Sequence, residues 1–102
     1  MVKFGSITME GQRILVDGAM DADEGRCMRR IDFLLIQGAL IVEGKGSVVV
    51  GEGAWTGDAE SADLQPGPVT AVGVAVFFDL DDEPPLSVEA RTWCQAIDVV
   101  AA

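Results

Sequence analysis

The sequence predicts an all-β fold: a single antiparallel β-sandwich, or an open barrel, of about seven strands. Short runs in which apolar residues alternate with polar or small ones are typical of strands. Glycine-rich or acidic turn segments separate these runs, and no strand–helix–strand unit can be recognised between them. The chain has 102 residues, of which 49% are apolar, so residues 1–102 are expected to form a single domain with one core.

Two strands are predicted at the start of the sequence, Val2 to Met9 and Arg13 to Met20. The turn between them contains Gly11, and glycine readily adopts the positive φ that tight turns need. The second strand places its apolar residues on one face. The first loses its alternation near Gly5, where a β-bulge would restore it. An acidic loop, Asp21 to Gly25, follows.

The longest apolar stretch, Met28 to Val42, is interrupted by Gln37 and Gly38. We interpret it as a strand that ends near Ile36 and a second strand from Ala39 to Glu43.

A tight hairpin is predicted at Gly44-Lys45-Gly46, because closely spaced glycines are typical of turns. It leads into a strand from Ser47 to Trp55. The segment from Thr56 to Pro68 contains three acids, two glycines and two prolines, and is predicted to be the one long loop.

The segment from Val69 to Leu80 is the most clearly alternating strand. One face carries bulky residues, and the other carries the small residues Ala71, Gly73 and Ala75. Because both faces are apolar, the strand is predicted to be central or covered on both sides.

The last segment, Leu86 to Val100, fits both a helical stripe and a strand face. A hairpin with the preceding strand would place Val76 opposite Ala90, Val72 opposite Cys94, and Trp93 over Gly73. Bulky residues would then oppose small ones. This pairing favours a strand, and a helix is the alternative.

The charge and composition argue against several classes of function. Acids outnumber bases by seventeen to seven, which gives a net charge of −10. Nucleic-acid binding depends on neutralising phosphates, so neither nucleic acid nor an anionic membrane is an expected partner. The chain has no histidine, the side chain most often used for proton transfer near neutral pH. We therefore expect a protein that is not an enzyme and needs no cofactor.

No apolar segment resembles a secretion signal or is long enough to span a membrane, so the protein is expected in the cytoplasm. Cys27 and Cys94 are accordingly expected to be reduced thiols. Without histidine or a Cys-x-x-Cys pair, the sequence does not predict a zinc site.

Acidic loops supply the only candidate metal ligands: Asp21, Asp23, Asp81, Asp82 and Glu83. Calcium binds several oxygen atoms at once, which clustered carboxylates can provide. If successive strands alternate in direction, the loops that carry these acids lie at the same end of the domain. Neither loop matches a known calcium-binding pattern, and we interpret these acids mainly as solvated loop residues.

A partner-binding surface is predicted around Trp55 and the acids Asp58, Glu60 and Asp63. Trp55 shares a strand face with glycines, which would leave open backbone beside the indole at the mouth of the predicted long loop. Alternatively, those glycines make room for a neighbouring aromatic residue such as Phe77. The tryptophan is then a core residue.

The leading hypothesis is a small acidic module that binds another protein, for example an inhibitor, an immunity-type protein or an accessory subunit. Its acids would attract a basic partner. One alternative is a self-assembling subunit of a particle or fibre, which would form homo-oligomers. The other is a module that binds a cation or a small ligand.

Overall fold

The structure, a computed structural model, describes residues 1–21, 28–49, 53–78 and 88–102. These ranges contain seven β-strands and no helix, which confirms the predicted all-β class. The strands are β1 (Lys3–Glu10), β2 (Arg13–Ala19), β3 (Met28–Gln37), β4 (Leu40–Val49), β5 (Ala54–Glu60), β6 (Gly67–Phe78) and β7 (Val88–Ala101).

The strands form a closed barrel in the order β1-β2-β5-β4-β3-β6-β7. This corrects the predicted sandwich, whereas the alternative of an open barrel is close. The sheet is also mixed, because β1 and β7 close the barrel as a parallel pair while the other neighbours are antiparallel. Closure removes the two free sheet edges that an open sandwich would have to protect.

The strand order contains a Greek key. Strands β3, β4 and β5 are neighbours in sequence and in space, and β6 returns to lie beside β3. Successive strands alternate in direction along the barrel. We call the end that carries the β1–β2 and β3–β4 turns the upper end, and the opposite end the lower end. The connection through residues 61–66 crosses the upper end and buries Leu64 there.

The β1–β2 hairpin agrees with the prediction. Its turn contains Gly11 with φ of 64°, and the β1–β2 register shifts between Phe4 and Ser6, at the expected bulge. The inward face of β2 carries Ile14 and Val16, both buried.

The predicted hairpin at Gly44-Lys45-Gly46 is wrong, because these residues lie inside β4. The strand that begins after the break predicted at Gln37 and Gly38 continues instead to Val49, and that break is the β3–β4 turn, with a φ of 60° at Gly38. The predicted strand from Ser47 to Trp55 is therefore divided between the end of β4 and the start of β5. A Cβ atom at Gly44 would overlap the ring of Phe33. The glycines of β4 therefore allow a close approach by core side chains, and they do not reverse the chain.

The predicted long loop from Thr56 to Pro68 is also wrong over most of its length. β5 continues to Glu60, and β6 begins at Gly67. In β5 the exposed Asp58 and Glu60 alternate with the inward-facing Gly57 and Ala59, which is a strand pattern with small inner residues.

The last segment is a strand, as the pairing predicted. Val76 lies opposite Ala90, Val72 opposite Cys94, and Gly73 opposite Trp93. Of the two predicted alternatives, β6 is a central strand, because it pairs with β3 on one side and with β7 on the other. It is not covered on its outer face by any described element. The core side of β6 carries the small residues together with Val69 and Phe77, whereas Val72, Val74 and Val76 lie half-buried on the outside.

Large aromatic side chains fill the barrel. The Phe4 ring lies 5.3 Å from Trp55 and 6.1 Å from Phe33, measured between centroids, in edge-to-face contacts. Trp93 contacts Phe4 at 5.4 Å. On the described strands, inward-facing glycines leave the space that these rings occupy: Gly18, Gly44, Gly46, Gly57 and Gly73. A narrow barrel holds such rings only where facing residues are small.

Candidate interaction surface

A set of aliphatic side chains lies on the outside of the barrel, on β3, β4 and β6. We call it the outer apolar face: Leu34, Ile36, Ile41, Val72, Val74 and Val76. Their inward-facing neighbours are core residues, so strand alternation directs these side chains outward. Ile41 is 59% exposed and the others are half-buried. In the described ranges each strand makes extensive contacts only with its barrel neighbours, so no further element covers this face.

The strand register brings the members of this face together. Leu34 lies opposite Val72 across the β3–β6 pair, and Ile36 lies opposite Ile41 across the β3–β4 pair. The exposed Cys94, which carries a free thiol, borders the face opposite Val72. Cys27 lies outside the described residues.

A depression of 590 Å³ adjoins the outer apolar face. Leu34, Val72 and Val74 supply apolar lining, and charged residues complete the lining: Arg30, Asp32, Glu43, Lys45 and Asp58. The surface therefore combines apolar area with charges of both signs, as protein interfaces do at the border between core and rim.

Asp32 is the polar residue at the centre of this region. Arg30 donates from Nε to Asp32 Oδ2 at 2.7 Å. The other carboxylate oxygen, Oδ1, is buried and has no hydrogen-bond partner among the described residues. Lys45 lies across from Asp32 on one side and from Asp58 on the other.

The side chain of Trp55 is not exposed on the surface of the barrel. Its side chain is fully buried, and its Nε1 donates to the carbonyl oxygen of Lys3 at 3.1 Å. The expected contact of Trp55 with a partner is therefore wrong for this fold. The alternative is not borne out as stated, because Gly53 has no aromatic ring beside it and Gly51 lies outside the described residues. The glycines that make room for the Trp55 indole are Gly18 and Gly46, on neighbouring strands.

The three predicted partner-binding acids are exposed but not clustered. Asp58 lies on the outer side of β5 and reaches the depression, and Glu60 lies further toward the upper end, opposite Arg13. Asp63 belongs to the connection across the upper end, where its N–H donates to Ser61 Oγ at 3.2 Å. Only Asp58 adjoins the outer apolar face.

Of the candidate metal ligands, the structure describes Asp21 alone. Asp21 lies at the lower end, and its Oδ2 accepts a hydrogen bond from the amino group of Met1 at 2.5 Å. Asp23, Asp81, Asp82 and Glu83 lie outside the described residues. Within the described ranges, no three His, Cys, Asp or Glu side chains are grouped to hold a metal ion.

A shifted pKa occurs at the lower end of β7. A hydrogen bond from Arg91 and its positive charge hold the pKa of Glu89 below its ordinary value of 4.5. Arg91 Nε donates to Glu89 Oε1 at 2.9 Å, and the guanidinium lies 4.6 Å from the centroid of the Phe77 ring. Both side chains are exposed, so this ion pair contributes little to stability.

A second candidate surface lies where β1 meets β7, which we call the β1–β7 seam. Gln95 forms two hydrogen bonds with the main chain of Phe4 there, and the buried Nε1 of Trp93 has no acceptor in the part of the chain that the structure describes. Sequence reasoning missed Gln95. The available signal was a polar residue at an inward position of β7, between Trp93 and Ile97.

Comparison with protein-family models, curated proteins and solved structures found no significant match to the chain. The described residues also include no helix that is long and apolar enough to cross a membrane.

Proposed function

We propose that this protein is a non-catalytic interaction module that binds a basic protein through its outer apolar face. One observation carries the proposal: a continuous set of aliphatic side chains lies exposed or half-exposed on the outside of a barrel whose core is already filled. Contiguous exposed apolar patches of this kind mark interaction sites.

The charge of the chain favours a basic partner over a second copy of itself. Two molecules that each carry −10 repel one another, whereas a positively charged partner is attracted over a long range. Asp32, Glu43 and Asp58 line the depression beside the apolar face and are placed to meet basic side chains at the rim.

Two features support a module that is not an enzyme. The chain has no histidine, and bulky rings occupy the described barrel interior, where a substrate pocket would otherwise lie. We place the module in the cytoplasm on the basis of the sequence features described above.

The test uses three immobilised baits: the wild type, Val74→Asp and Ser47→Asp. Val74→Asp adds a charge within the outer apolar face, and Ser47→Asp adds the same charge at an exposed position on β4. We expect the wild type and Ser47→Asp to capture a partner of net positive charge. The purified partner should bind Val74→Asp at least about tenfold more weakly, a loss of about 1.4 kcal/mol. Its affinity for the wild type should fall as salt rises, because salt screens charge attraction.

Equal binding by all three baits, or binding that does not depend on salt, would overturn the proposal. Light scattering tests the self-assembly alternative. A mass that grows with concentration in the wild type but not in Val74→Asp would support self-assembly instead. If the protein binds calcium and captures no protein partner, the cation-binding alternative is supported.

A further inference from the structure

The β1–β7 seam is the weakest closure in the barrel. β1 and β7 pair through their main chains only at Ile7–Met9 with Val99–Ala101, near the upper end. The bulge between Phe4 and Ser6 changes the course of β1 below these residues. Among the described residues, no main-chain pairing joins β1 to β7 between that bulge and the lower end.

Below the paired segment, the side chain of Gln95 takes the place of a neighbouring strand. Gln95 Nε2 donates to the Phe4 carbonyl oxygen at 2.8 Å, and the Phe4 N–H donates to Gln95 Oε1 at 3.0 Å. A carboxamide offers the same donor and acceptor as a peptide unit. Phe4 therefore makes the two hydrogen bonds that it would make to a strand residue, but it makes them to a side chain.

Trp93 provides a second, independent observation at this seam. Its Nε1 is buried and lacks a hydrogen-bond partner in the described ranges, which is an unfavourable situation for a donor. Buried donors are usually paired, so an unpaired one calls for an explanation. The indole lines a depression of 470 Å³ together with Val2, Thr92 and Arg91. A carbonyl group of a bound peptide would supply the missing acceptor.

We propose that the β1–β7 seam binds an extended, basic peptide segment, which displaces the Gln95 carboxamide and pairs with Phe4. An extended backbone is the ligand whose donors and acceptors match those that Gln95 now satisfies. Because β1 and β7 are parallel to each other, a segment between them has the same direction relative to both, and we place it antiparallel. Antiparallel ladders are slightly more stable per residue than parallel ones. The net charge of −10 favours a basic segment.

This site is separate from the outer apolar face. It uses the main chain of β1 and the side chains of Gln95 and Trp93, none of which belongs to that face. Either binding proposal can therefore be refuted while the other is supported.

The experiment titrates the isotope-labelled wild-type protein with a synthetic peptide of alternating valine and threonine that has lysine at both ends. The control peptide has the same sequence but is N-methylated at alternate residues, so it keeps its charge and loses main-chain donors. We expect the first peptide to shift the resonances of the Gln95 side-chain NH₂ group toward the chemical shifts of free glutamine. It should also slow hydrogen exchange in the backbone from Glu89 to Cys94. The N-methylated peptide should do neither.

A matched pair of variants tests the role of Gln95. Gln37 makes the same two hydrogen bonds, each 2.9 Å, to the main chain of Gln65 at the upper end. Gln95→Ala removes the competing carboxamide and should bind the peptide about fivefold more tightly, the size of one net hydrogen bond. Gln37→Ala should leave the affinity unchanged.

Several results would overturn the proposal. These are the absence of peptide binding to both wild type and Gln95→Ala, equal binding of the N-methylated peptide, unchanged Gln95 NH₂ resonances on binding, and an equal gain from Gln37→Ala. Resonance changes confined to Leu34, Val72 and Val74 would assign the peptide to the outer apolar face instead. If Gln95→Ala does not fold, the titration of the wild type alone still tests the proposal.

Discussion

The indole of Trp55 occupies the space that a side chain at Gly18 would need. The two residues lie opposite each other on the paired strands β2 and β5, and a Cβ atom at Gly18 would overlap the indole ring. Trp55 also donates from Nε1 to the carbonyl oxygen of Lys3 on β1. One tryptophan therefore links β5 to β2 by packing and to β1 by a hydrogen bond.

Gly18→Ala should destabilise the protein by about 1–3 kcal/mol, because a well-packed core cannot accept the extra methyl group without strain. Trp55→Phe shortens the ring and creates room, so Gly18→Ala should cost less in the Trp55→Phe background. Urea denaturation of the wild type, both single variants and the double variant measures this coupling. Strictly additive losses would mean that the two residues do not compete for the same space.

The positions of Gly38 and Gly44 give a second test of why glycine occurs where it does. Gly38 has φ of 60° and no atom near its missing Cβ, so Gly38→Ala meets no clash but places alanine in the left-handed region, which should cost about 1 kcal/mol. Gly44→Ala places a methyl group against the Phe33 ring and should cost more. Gly38→Asn is the control, because asparagine tolerates the left-handed region better than alanine does. Thermal denaturation ranks the three variants, and a larger loss at Gly38 than at Gly44 would contradict this assignment.

These glycines also explain how much of the fold the sequence allowed us to predict. Alternation and cross-strand pairing predicted the strand class, the bulge at Gly5 and the β6–β7 register, because those features depend on neighbouring residues. Gly44 and Gly46 were misinterpreted as a turn, since local sequence does not show that Phe33 and Trp55 pack against them. Closure of the barrel by β1 and β7 is a contact between the two ends of the chain, which no local pattern records.

The candidate surfaces were less predictable than the fold for a related reason. The valines of β6 are as apolar as core residues, and only the closed barrel shows that Ala71 and Ala75 face the core while Val72 and Val74 face outward. Trp55 was expected near a surface because the loop after it was misplaced. Asp58 was the one predicted contact residue that adjoins the outer apolar face.

The pair of Glu89 and Arg91 should make a small part of the stability depend on pH. Because the pKa of Glu89 is lowered in the folded protein, the pair stabilises the fold above the unfolded value of 4.5. This contribution is lost as the pH falls through the lowered folded pKa. An NMR titration of the Glu89 side chain should give a pKa below 4.5, and Arg91→Gln should return it toward 4.5. High salt should reduce the shift, since both side chains are exposed. A Glu89 pKa that does not respond to Arg91→Gln would refute the assigned cause.

Asp32 provides a test of whether the outer surface is optimised for stability or for binding. Asp32→Val removes the buried carboxylate oxygen that lacks a partner and places a β-branched side chain opposite Val74. The lost ion pair with Arg30 is largely exposed and is worth only about 0–1 kcal/mol. We therefore expect the free energy of unfolding to rise by about 1 kcal/mol, in the lower part of the range for relieving an unsatisfied buried group.

Glu43→Val on β4 is the control for stability alone, because Glu43 also lines the depression; it has the same gain in strand propensity at an exposed position opposite Leu34. Binding is compared with the wild type. Surface changes of this kind alter stability by about 0.5 kcal/mol or less. If Asp32→Val is more stable than Glu43→Val in urea denaturation and binds the basic partner more weakly, then Asp32 is retained at a cost in stability because it contacts that partner. If Asp32→Val is destabilised, then its carboxylate supports the fold, and the unpaired oxygen is not evidence for a binding role.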